Sequence, residues 1–436
     1  MAKTKAFLNA FLIAMIVCGL ALVSGAYSVS DSPSPVSASN FASIAPSITW
    51  NRTYVGSGLL EADSVIQTVD GGFLLGGTTS TGPSQPTKIE LVKVDSSGNP
   101  QWNKTYDAVG NSYSKWLIQA GNGAYALAGQ YGGDFWLAKI DASGNILWNQ
   151  TYSGIGFSWA TSLTQTIDGG YALTGQTNFA TDTGGGVASS SVLLVKTDAL
   201  GYEQWSKMLG YGAVNSVIQT SDGGYAVAGT NNQPDYFLTK TNSTGDLQWS
   251  RTYGSQDEDV GSSVVQTSDG GFAVGGWMWL RSNGGGPNVV IVKTDASGNE
   301  QWTKYYGAGE GESIIKTSDG GFALAGSRLV KVDAAGNEQW EVSLEQQAYS
   351  VIQTQDSGYA IAGESNTSTG NPITYAWLAK TSSTLSTLTP LSPSLSSPVF
   401  SDSQIIVIGV LVAVVIVAAV VFLMFQRRLK TNSTSP

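Results

Sequence analysis

Apolar residues in the middle of this chain fall in short runs that are separated by polar, Gly-rich turns. The clearest copy of the pattern begins at Ser263 and ends at Trp302, and it contains four segments in the order SVVQT, FAVGG, VVIVK and EQW. An Asp-Gly-Gly turn at Asp269 joins the first pair, and an Asp-Ala-Ser-Gly-Asn turn at Asp295 joins the second pair. Gly and Asn supply the positive φ angles of tight hairpins. The stretch therefore predicts a four-stranded antiparallel sheet.

Relatives of this unit fill the chain between about residues 50 and 381. Seven segments resemble the fourth strand of the unit, and each carries a tryptophan: Trp50, Trp102, Trp148, Trp205, Trp249, Trp302 and Trp340. No segment inside the copies has the 3.6-residue periodicity of a helix, which excludes a helical solenoid. Each repeat contains four strands, and its length is close to the roughly 40 to 50 residues of propeller repeats. Both features are typical of a β-propeller blade. The prediction is seven blades, with six or eight as alternatives.

The two ends of the array predict how the ring closes. The last copy ends at Lys380 without a fourth strand, whereas the array begins with an unpaired segment, Ile48–Tyr54, that resembles the fourth strands Pro100–Tyr106 and Ile146–Tyr152. We expect this leading segment to complete the seventh blade, because closure removes the exposed sheet edge. The predicted fold is all-β, a seven-bladed propeller over residues 48–380 closed by an N-terminal strand.

The N-terminal residues have the features of a secretory signal. Lys3 and Lys5 precede an apolar run from Ala6 to Val23, and small residues follow it. This pattern predicts a signal peptide helix over residues 1–26, with an uncleaved signal anchor as the alternative. Residues 27–47 are rich in Ser and Pro and are predicted to be a flexible spacer.

The C-terminal residues predict a membrane anchor. Residues 381–403 form a Ser-, Thr- and Pro-rich stalk, and residues 404–425 are apolar enough for a transmembrane helix. Basic residues in the tail, residues 426–436, predict that the tail is cytoplasmic. The expectation is a single-pass type I protein of the cell membrane with an extracellular propeller.

The composition limits the partners and the catalytic mechanisms that are open to this chain. The chain has no His, and its single Cys is Cys18 in the N-terminal apolar run. Without the five basic residues of the two ends, 17 basic residues face 32 acidic ones, which argues against nucleic acid as a partner. With no His base and no Cys nucleophile in the propeller, we expect no enzymatic activity. A pair of carboxyl groups acting on glycans is the alternative.

The hairpin turns are short and uniform, whereas the other connections vary in length. In a propeller these two sets lie on opposite faces, which we call the uniform face and the variable face. Because binding tends to use loops held by a rigid scaffold, we expect function on the variable face. Candidate ligand-binding residues there are Trp277, Trp279, Arg281, Phe157 and Trp159. These aromatic side chains can stack on a sugar or anchor a protein; alternatively, they pack beneath their own loops.

Acidic residues on the variable face form the candidate metal site. Asp257, Glu258 and Asp259 lie in one connection between blades, and Glu310 and Glu312 lie in the next. Carboxylates that converge near the propeller axis favour a divalent cation, Ca²⁺ being the one candidate. Solvated loop carboxylates are the alternative, and the sequence indicates no other cofactor.

Five sequons are candidate sites for N-glycosylation of an extracellular propeller: Asn51, Asn103, Asn149, Asn242 and Asn366. The first three occupy the same place in three fourth strands. Alternatively, these sequons occur only because the repeat has a Thr at the same position in each copy.

The motifs T-x-D-G-G-[YF] and K-x-D-x-x-G-N-x-x-W resemble those of secreted and cell-surface archaeal and bacterial propeller repeats described as quinoprotein-like or kelch-like. The resemblance covers about residues 48–380 and implies the fold, but it carries over no functional residue. The leading hypothesis is a cell-surface propeller for adhesion to, or recognition of, an extracellular glycan or protein. An extracellular glycan-active enzyme and a structural component of the cell envelope are the alternatives.

Overall fold

The computed structural model describes the propeller region of the chain. The described residues are 45–54, 59–80, 86–106, 112–121, 123–152, 157–178, 190–233, 235–255, 257–281, 285–366, 374–383 and Met424. All of them except Met424 belong to a compact unit, Met1–Thr384. The predicted signal peptide and cytoplasmic tail, and nearly all of the spacer, stalk and transmembrane helix, lie outside the described residues. Among the described residues, no helix has the length and apolar character needed to cross a bilayer.

The strands group into seven blades. Blade 1 contains β2 (Leu59–Gln67), β3 (Phe73–Thr79), β4 (Lys88–Val94) and β5 (Pro100–Tyr106); blade 2 contains β6 (Tyr113–Ala120), β7 (Ala124–Tyr131), β8 (Asp134–Ile140) and β9 (Ile146–Tyr152). Blade 3 contains β10 (Phe157–Gln165), β11 (Tyr171–Asn178), β12 (Ser190–Thr197) and β13 (Glu203–Tyr211); blade 4 contains β14 (Ala213–Gln219), β15 (Tyr225–Thr230), β16 (Tyr236–Thr241) and β17 (Leu247–Tyr253). Blade 5 contains β18 (Asp259–Gln266), β19 (Phe272–Leu280), β20 (Gly286–Thr294) and β21 (Glu300–Ala308); blade 6 contains β22 (Gly311–Lys316), β23 (Phe322–Gly326), β24 (Arg328–Val332) and β25 (Glu338–Ser343). Blade 7 contains β26 (Gln347–Gln353), β27 (Tyr359–Asn366), β28 (Thr374–Thr381) and β1 (Ile48–Thr53).

The ring closes through the leading strand, as the sequence predicts. Seven sheets of four antiparallel strands are present, and the seventh has the order β1-β28-β27-β26. Trp50 pairs with Lys380, and Thr53 pairs with Trp377. The seven-bladed, all-β prediction is therefore confirmed for the propeller.

Both ends of the propeller leave on the uniform face. In blade 7 the gap between Thr381 and Ile48 lies where the other blades have their second hairpin. The Ser382 amide donates to the Ser47 carbonyl oxygen at 2.8 Å, and the Ser47 amide donates to Ser382 Oγ at 3.1 Å. These bonds tie the incoming and outgoing chain together beside the second hairpins of neighbouring blades.

The Asp of the first hairpin does more than shape a turn. In blade 1, Asp70 accepts hydrogen bonds from Thr68 Oγ1 at 2.5 Å and from the Gly72 amide at 3.2 Å. It also pairs at 2.9 Å with Lys93 Nζ, whose side chain is 5% exposed and donates to Gln101 Oε1 as well. A buried ammonium is costly unless it is paired, so this Asp compensates a charge in the sheet. Five more blades repeat the pair: Lys196–Asp168, Lys240–Asp222, Lys293–Asp269, Lys331–Asp319 and Lys380–Asp356.

Each fourth-strand aromatic cluster joins neighbouring blades. The Tyr106 hydroxyl of blade 1 donates to the Gly144 carbonyl oxygen of blade 2 at 2.8 Å, and Trp102 lies against the same glycine. At the closure, Tyr54 donates to the Gly98 carbonyl oxygen at 3.2 Å. The second hairpin of one blade is thus a docking point for the outer strand of the previous blade.

The apolar core consists of layers between adjacent sheets. Seven buried clusters are present, each between two neighbouring blades. The layer at the closure packs Phe73 and Leu75 of blade 1 with Ala362 and Leu378 of blade 7. Each blade therefore buries apolar surface on both faces, which is why the third strands are nearly continuous apolar runs.

Serine hydroxyls accept hydrogen bonds from backbone amides of the innermost strands. The innermost strand of a blade is an edge strand with unpaired amides. Ser216 Oγ of blade 4 accepts from the Val264 amide of blade 5 at 3.2 Å, and Ser350 Oγ of blade 7 accepts from the Val65 amide of blade 1 at 3.2 Å. The equivalent position of blade 2 is Trp116, which has no hydroxyl to offer.

Candidate functional site

The variable face is formed by the connections that lead into each innermost strand and those that join the second and third strands. Parts of these connections, residues 81–85, 179–189 and 367–373, lie outside the described residues. The described part of the face consists of the strand ends that border those loops and of the channel that the innermost strands surround.

One group of predicted residues comes together at blade 5. The Trp279 amide donates to the Glu258 carbonyl oxygen at 3.0 Å and to Asp259 Oδ1 at 3.2 Å. Arg281 Nε donates to Asp257 Oδ1 at 2.6 Å. The sequence assigned these residues to two separate sites, one aromatic and one acidic, but β18 and β19 place them in one cluster.

The cluster leaves two side chains open to a ligand. Trp279 is 37% exposed and the Arg281 side chain is 81% exposed. Trp277 is half-buried, and the intervening Met278 is buried, its sulfur lying 3.7 Å from the Tyr305 hydroxyl. Of this predicted set, Trp279 and Arg281 are therefore the better placed for binding.

The second aromatic pair belongs to a different blade. Phe157 and Trp159 are in β10, the innermost strand of blade 3, where they pair with Asn178 and Gln176. Trp159 is half-buried, and the side chain of Phe157 lies outside the description. Blade 4 stands between this pair and Trp279, so the structure does not unite the predicted aromatic residues in one patch.

The predicted acidic residues do not form a shared metal site. Asp259 is fully buried and is hydrogen-bonded to the amide and hydroxyl of Ser255, and burial raises its pKa. Asp257 is neutralised by Arg281. Within the described ranges, no group of three or more His, Cys, Asp or Glu residues could hold a metal ion. Two of the five predicted carboxylates, Asp257 and Asp259, therefore have partners within the protein, and Ca²⁺ stays a prediction.

The sequons differ in their surroundings. Asn51, Asn103 and Asn149 are exposed on the outermost strands of three blades. Asn242 is half-buried, and its Oδ1 accepts from the Asp246 amide at 2.8 Å within a second hairpin. The Asn366 side chain is outside the description. The first three sites are thus the accessible ones.

Seven side chains, none of them among the predicted site residues except Glu312, lie around the propeller axis. In every blade the register between the two innermost strands skips one residue, which is the signature of a β-bulge. The skipped residues are Asp63, Lys115, Thr161, Asn215, Ser262, Glu312 and Tyr349. We call these residues the axial ring.

Contacts within the axial ring cross several blades. Lys115 Nζ of blade 2 lies 2.6 Å from Asp63 Oδ1 of blade 1 and 3.7 Å from Glu61 Oε1. The charge of Lys115 also acts on Glu312 of blade 6, and the charge of Asp63 acts on Tyr349 of blade 7. Blades 2 and 6 are not neighbours, and their side chains approach one another only at the axis. The ring therefore lines the central channel.

The axial ring is acidic, and within it Asp63 is buried. Burial raises the pKa of Asp63, and the charges of Glu61 and Glu364 add to this while the ion pair with Lys115 opposes it. Burial also raises the pKa of Glu312 to about 7, with the charge of Glu310 as a second cause. Like charges in a low-dielectric channel favour bound cations.

A signal for the ring exists in the repeat itself. The residue at the bulge is different in every copy, as in EADSVIQ, AVNSVIQ, EGESIIK and QAYSVIQ, while the residues that follow it are similar. A variable polar position within an otherwise constant repeat is a candidate for ligand contact. The bulge that turns this position toward the axis is a feature of strand pairing, which the sequence pattern alone does not display.

The propeller resembles solved structures in fold alone. No family model and no curated protein matches this chain. The Dos1 propeller covers 79% of this chain over 96% of its own length, with 9% sequence identity and a TM-score of 0.51. Raptor from Chaetomium thermophilum covers 74% of this chain with 7% identity and a TM-score of 0.51, over 28% of its own length.

The chain is therefore a seven-bladed β-propeller with an acidic axial channel. The narrower repeat family that its motifs resemble stays a prediction, since identities this low establish the fold and nothing about ligand or activity.

Proposed function

We propose that this protein is a cell-surface recognition module that binds an extracellular glycan or protein through its variable face. The observation that carries the proposal is the exit of both propeller ends on the uniform face, where Ser47 and Ser382 are hydrogen-bonded. The chain after residue 383 thus leaves from the uniform face, and the loops of the variable face take no part in that attachment. Loops that are free of the attachment are what adhesion and recognition require.

The surface near Trp279 supports the proposal further. An exposed indole beside the exposed guanidinium of Arg281 offers a stacking surface next to hydrogen-bond donors. Such pairs suit sugar rings and the polar rim of a protein interface.

The topology is tested in cells that express the full chain. We expect the protein to sediment with membranes and to be cleaved by protease added to intact cells. A variant that ends after residue 403 should appear in the medium. A full-length chain that stays in the soluble fraction inside the cell contradicts the proposal.

The binding face is tested on glycan and protein arrays with the full chain in detergent. Trp279→Ala and Arg281→Ala should each weaken binding at least tenfold, because the exposed side chains are removed while the Trp279 backbone bonds are kept. Tyr202→Ala is the matched control, since Tyr202 is an exposed aromatic residue on the uniform face. Equal losses in all three variants count against the variable face.

The enzyme alternative has one supporting observation. Burial raises the pKa of Glu312 to about 7, as a general acid for glycoside cleavage requires, and Asp63 of the same ring offers a second carboxyl group. Turnover of an array glycan that Glu312→Gln abolishes would favour this alternative. Assembly of the purified chain into a regular lattice that binds no soluble ligand would favour a structural role in the envelope.

A further inference from the structure

The axial channel contains more acid than its own base can neutralise. Glu61, Asp63, Glu312 and Glu364 are linked electrostatically to one another or to Lys115, which is the one cation acting on them among the described residues. These four carboxylates belong to blades 1, 6 and 7. A surplus of negative charge therefore surrounds one side of the axis.

Asp63 is the best-defined acceptor in the channel. Its residue surface is 8% exposed, and its Oδ1 is taken by Lys115 Nζ at 2.6 Å. Its Oδ2 is buried and has no hydrogen-bond partner among the described residues. Leaving a buried carboxylate oxygen unpaired costs on the order of 1 to 3 kcal/mol or more, so the position favours a donor supplied from outside.

The geometry discriminates between classes of cation. A divalent metal needs several carboxylates converging on one point, and the described part of the chain provides no such group. A guanidinium prefers two oxygens of one carboxylate in a fork, but Asp63 has a single free oxygen. An ammonium group is a compact donor that satisfies one oxygen at a time.

The half-exposed neighbours of Asp63 extend the site toward the variable face. The Glu61 side chain is 29% exposed and lies two residues before Asp63 on β2, nearer the loop that leads into blade 1. Glu364 lies on β27 opposite Gln347, the first residue of the innermost strand of blade 7, and is hydrogen-bonded to Tyr349. A ligand entering from that face meets these carboxylates before it reaches Asp63.

We infer that the axial channel binds a primary alkylammonium group, of the kind presented by a polyamine or by a lysine side chain of a partner, with Asp63 Oδ2 as its buried acceptor and Glu61 and Glu364 at the entrance. This inference rests on the proposed recognition function, because it names the ligand chemistry of the same variable face. The ammonium group of the ligand binds in the channel, whereas Trp279 and Arg281 contact the ligand at the rim.

The inference is tested with the full chain in detergent by isothermal titration at low salt. The probes are spermidine, a lysine-rich peptide, choline and CaCl₂. We expect spermidine, the peptide or both to bind, and the arm that binds identifies a polyamine or a protein as the source. Choline has no N–H donor and should bind at least tenfold more weakly.

Two variants locate the site. Asp63→Asn and Glu61→Gln should each lower the affinity for the binding probe at least fivefold, whereas Asp295→Asn, in an exposed turn on the uniform face, should not. Glu61→Gln is included because its side chain is partly exposed and its loss does not uncover a buried group. Thermal unfolding of each variant verifies that the propeller is intact.

Four results would overturn the inference: no binding of either amine, binding of choline equal to that of spermidine, tighter binding of Ca²⁺, or equal loss in Asp295→Asn. A further comparison separates it from the proposed function. If an array ligand binds in a manner sensitive to Trp279→Ala while both amines fail, the variable face recognises a ligand and the ammonium site does not exist.

Discussion

The indole of Trp50 lies against Gly98, so that a Cβ added to this glycine would come within 2.7 Å of Trp50 Cζ3. Trp50 belongs to the outer strand of blade 7, and Gly98 belongs to the second hairpin of blade 1. This contact joins the first and last blades of the ring. It repeats the contacts of Trp102 with Gly144 and of Trp249 with Gly298, so the closure is built like an ordinary blade interface.

Gly98→Ala is expected to weaken the closure. Gly98 has a φ of 79°, and its added methyl group would displace Trp50. Gly71 has the same φ of 79° but no atom within 4 Å of an added Cβ, which makes Gly71→Ala the matched control. We expect a cost of about 1 kcal/mol for Gly71→Ala from backbone strain and about 2 to 4 kcal/mol for Gly98→Ala.

Chemical denaturation of the two glycine variants measures the difference. Equal destabilisation would mean that Trp50 moves aside without loss, and that the closure contributes little beyond strand pairing.

In the six blades that have the Lys–Asp pair, the stability of the sheet should depend on the turn aspartate. Asp222→Asn leaves Lys240, whose side chain is 6% exposed, without a carboxylate at 2.8 Å. We expect a loss of roughly 2 to 4 kcal/mol in the free energy of unfolding, because an uncompensated buried charge is left behind. The control is Asp295→Asn, since Asp295 accepts backbone amides in an exposed turn and an Asn oxygen can do the same. A loss no larger than that of the control would contradict the role assigned to this pair.

The same pair predicts a dependence on acid. Although burial alone would raise it, hydrogen bonds from Lys240 and Thr220 hold the pKa of Asp222 at about 2, below its usual value of 3.8. A lowered carboxyl pKa stabilises the fold above the unfolded value, and this contribution is lost as the pH falls from about 4 to 2. Unfolding midpoints measured across that window should fall steeply for the natural protein and less steeply for Asp222→Asn. Parallel curves would exclude the contribution.

Glu312 should show the opposite dependence. Its pKa is raised from 4.5 to about 7, chiefly by burial and then by Glu310, with Lys115 acting against the shift. A raised carboxyl pKa means that the folded state loses stability as the pH rises from about 4.5 to 7 and stays lower above it. Glu312→Gln should therefore be more stable than the natural protein at pH 8, by on the order of 1 to 3 kcal/mol, and equal to it at pH 4. Thermal melts at both pH values measure this difference in stability. A variant that is less stable at pH 8 would show that Glu312 is held by partners that favour its charge.

The inner serines should contribute separately to each interface. Ser216→Ala removes the acceptor of the Val264 amide, and a buried amide without a partner costs about 1 to 2 kcal/mol. Ser221→Ala, in an exposed turn of the same blade, is the control. Hydrogen exchange at Val264 should accelerate only in Ser216→Ala, and unchanged protection there would show that another acceptor replaces the hydroxyl.

Much of the propeller could be predicted from local pattern. Trp50 and the residues around it match other fourth strands closely enough to identify their place in the ring. The turns at Asp70 and Asp95 could be predicted for the same reason, since Gly and Asn are required wherever φ is positive. The repeats made these features predictable, because every copy meets the same backbone requirement with the same types of residue.

The partners of charged side chains could not be predicted in this way. Asp257 looked available for a metal, yet Arg281 lies 24 residues away in sequence and is bonded to it. The Asp of the first hairpin looked like a turn residue, yet it compensates the charge of a buried lysine on the third strand of the same blade. Pairings of this kind depend on which strands lie side by side, and the spacing along the chain does not specify side-chain rotamers.

The sequence by itself determined the number of blades, the turn chemistry and the strand that closes the ring, because each of these follows from local backbone requirements repeated along the chain. Only the tertiary structure decided where the channel charge lies. Asp63 and Lys115 are 52 residues apart and Glu312 is far from both, and they meet because a bulge in each inner strand turns one side chain toward a common axis. Ring closure brings those side chains together, and no single repeat contains the information that they will meet.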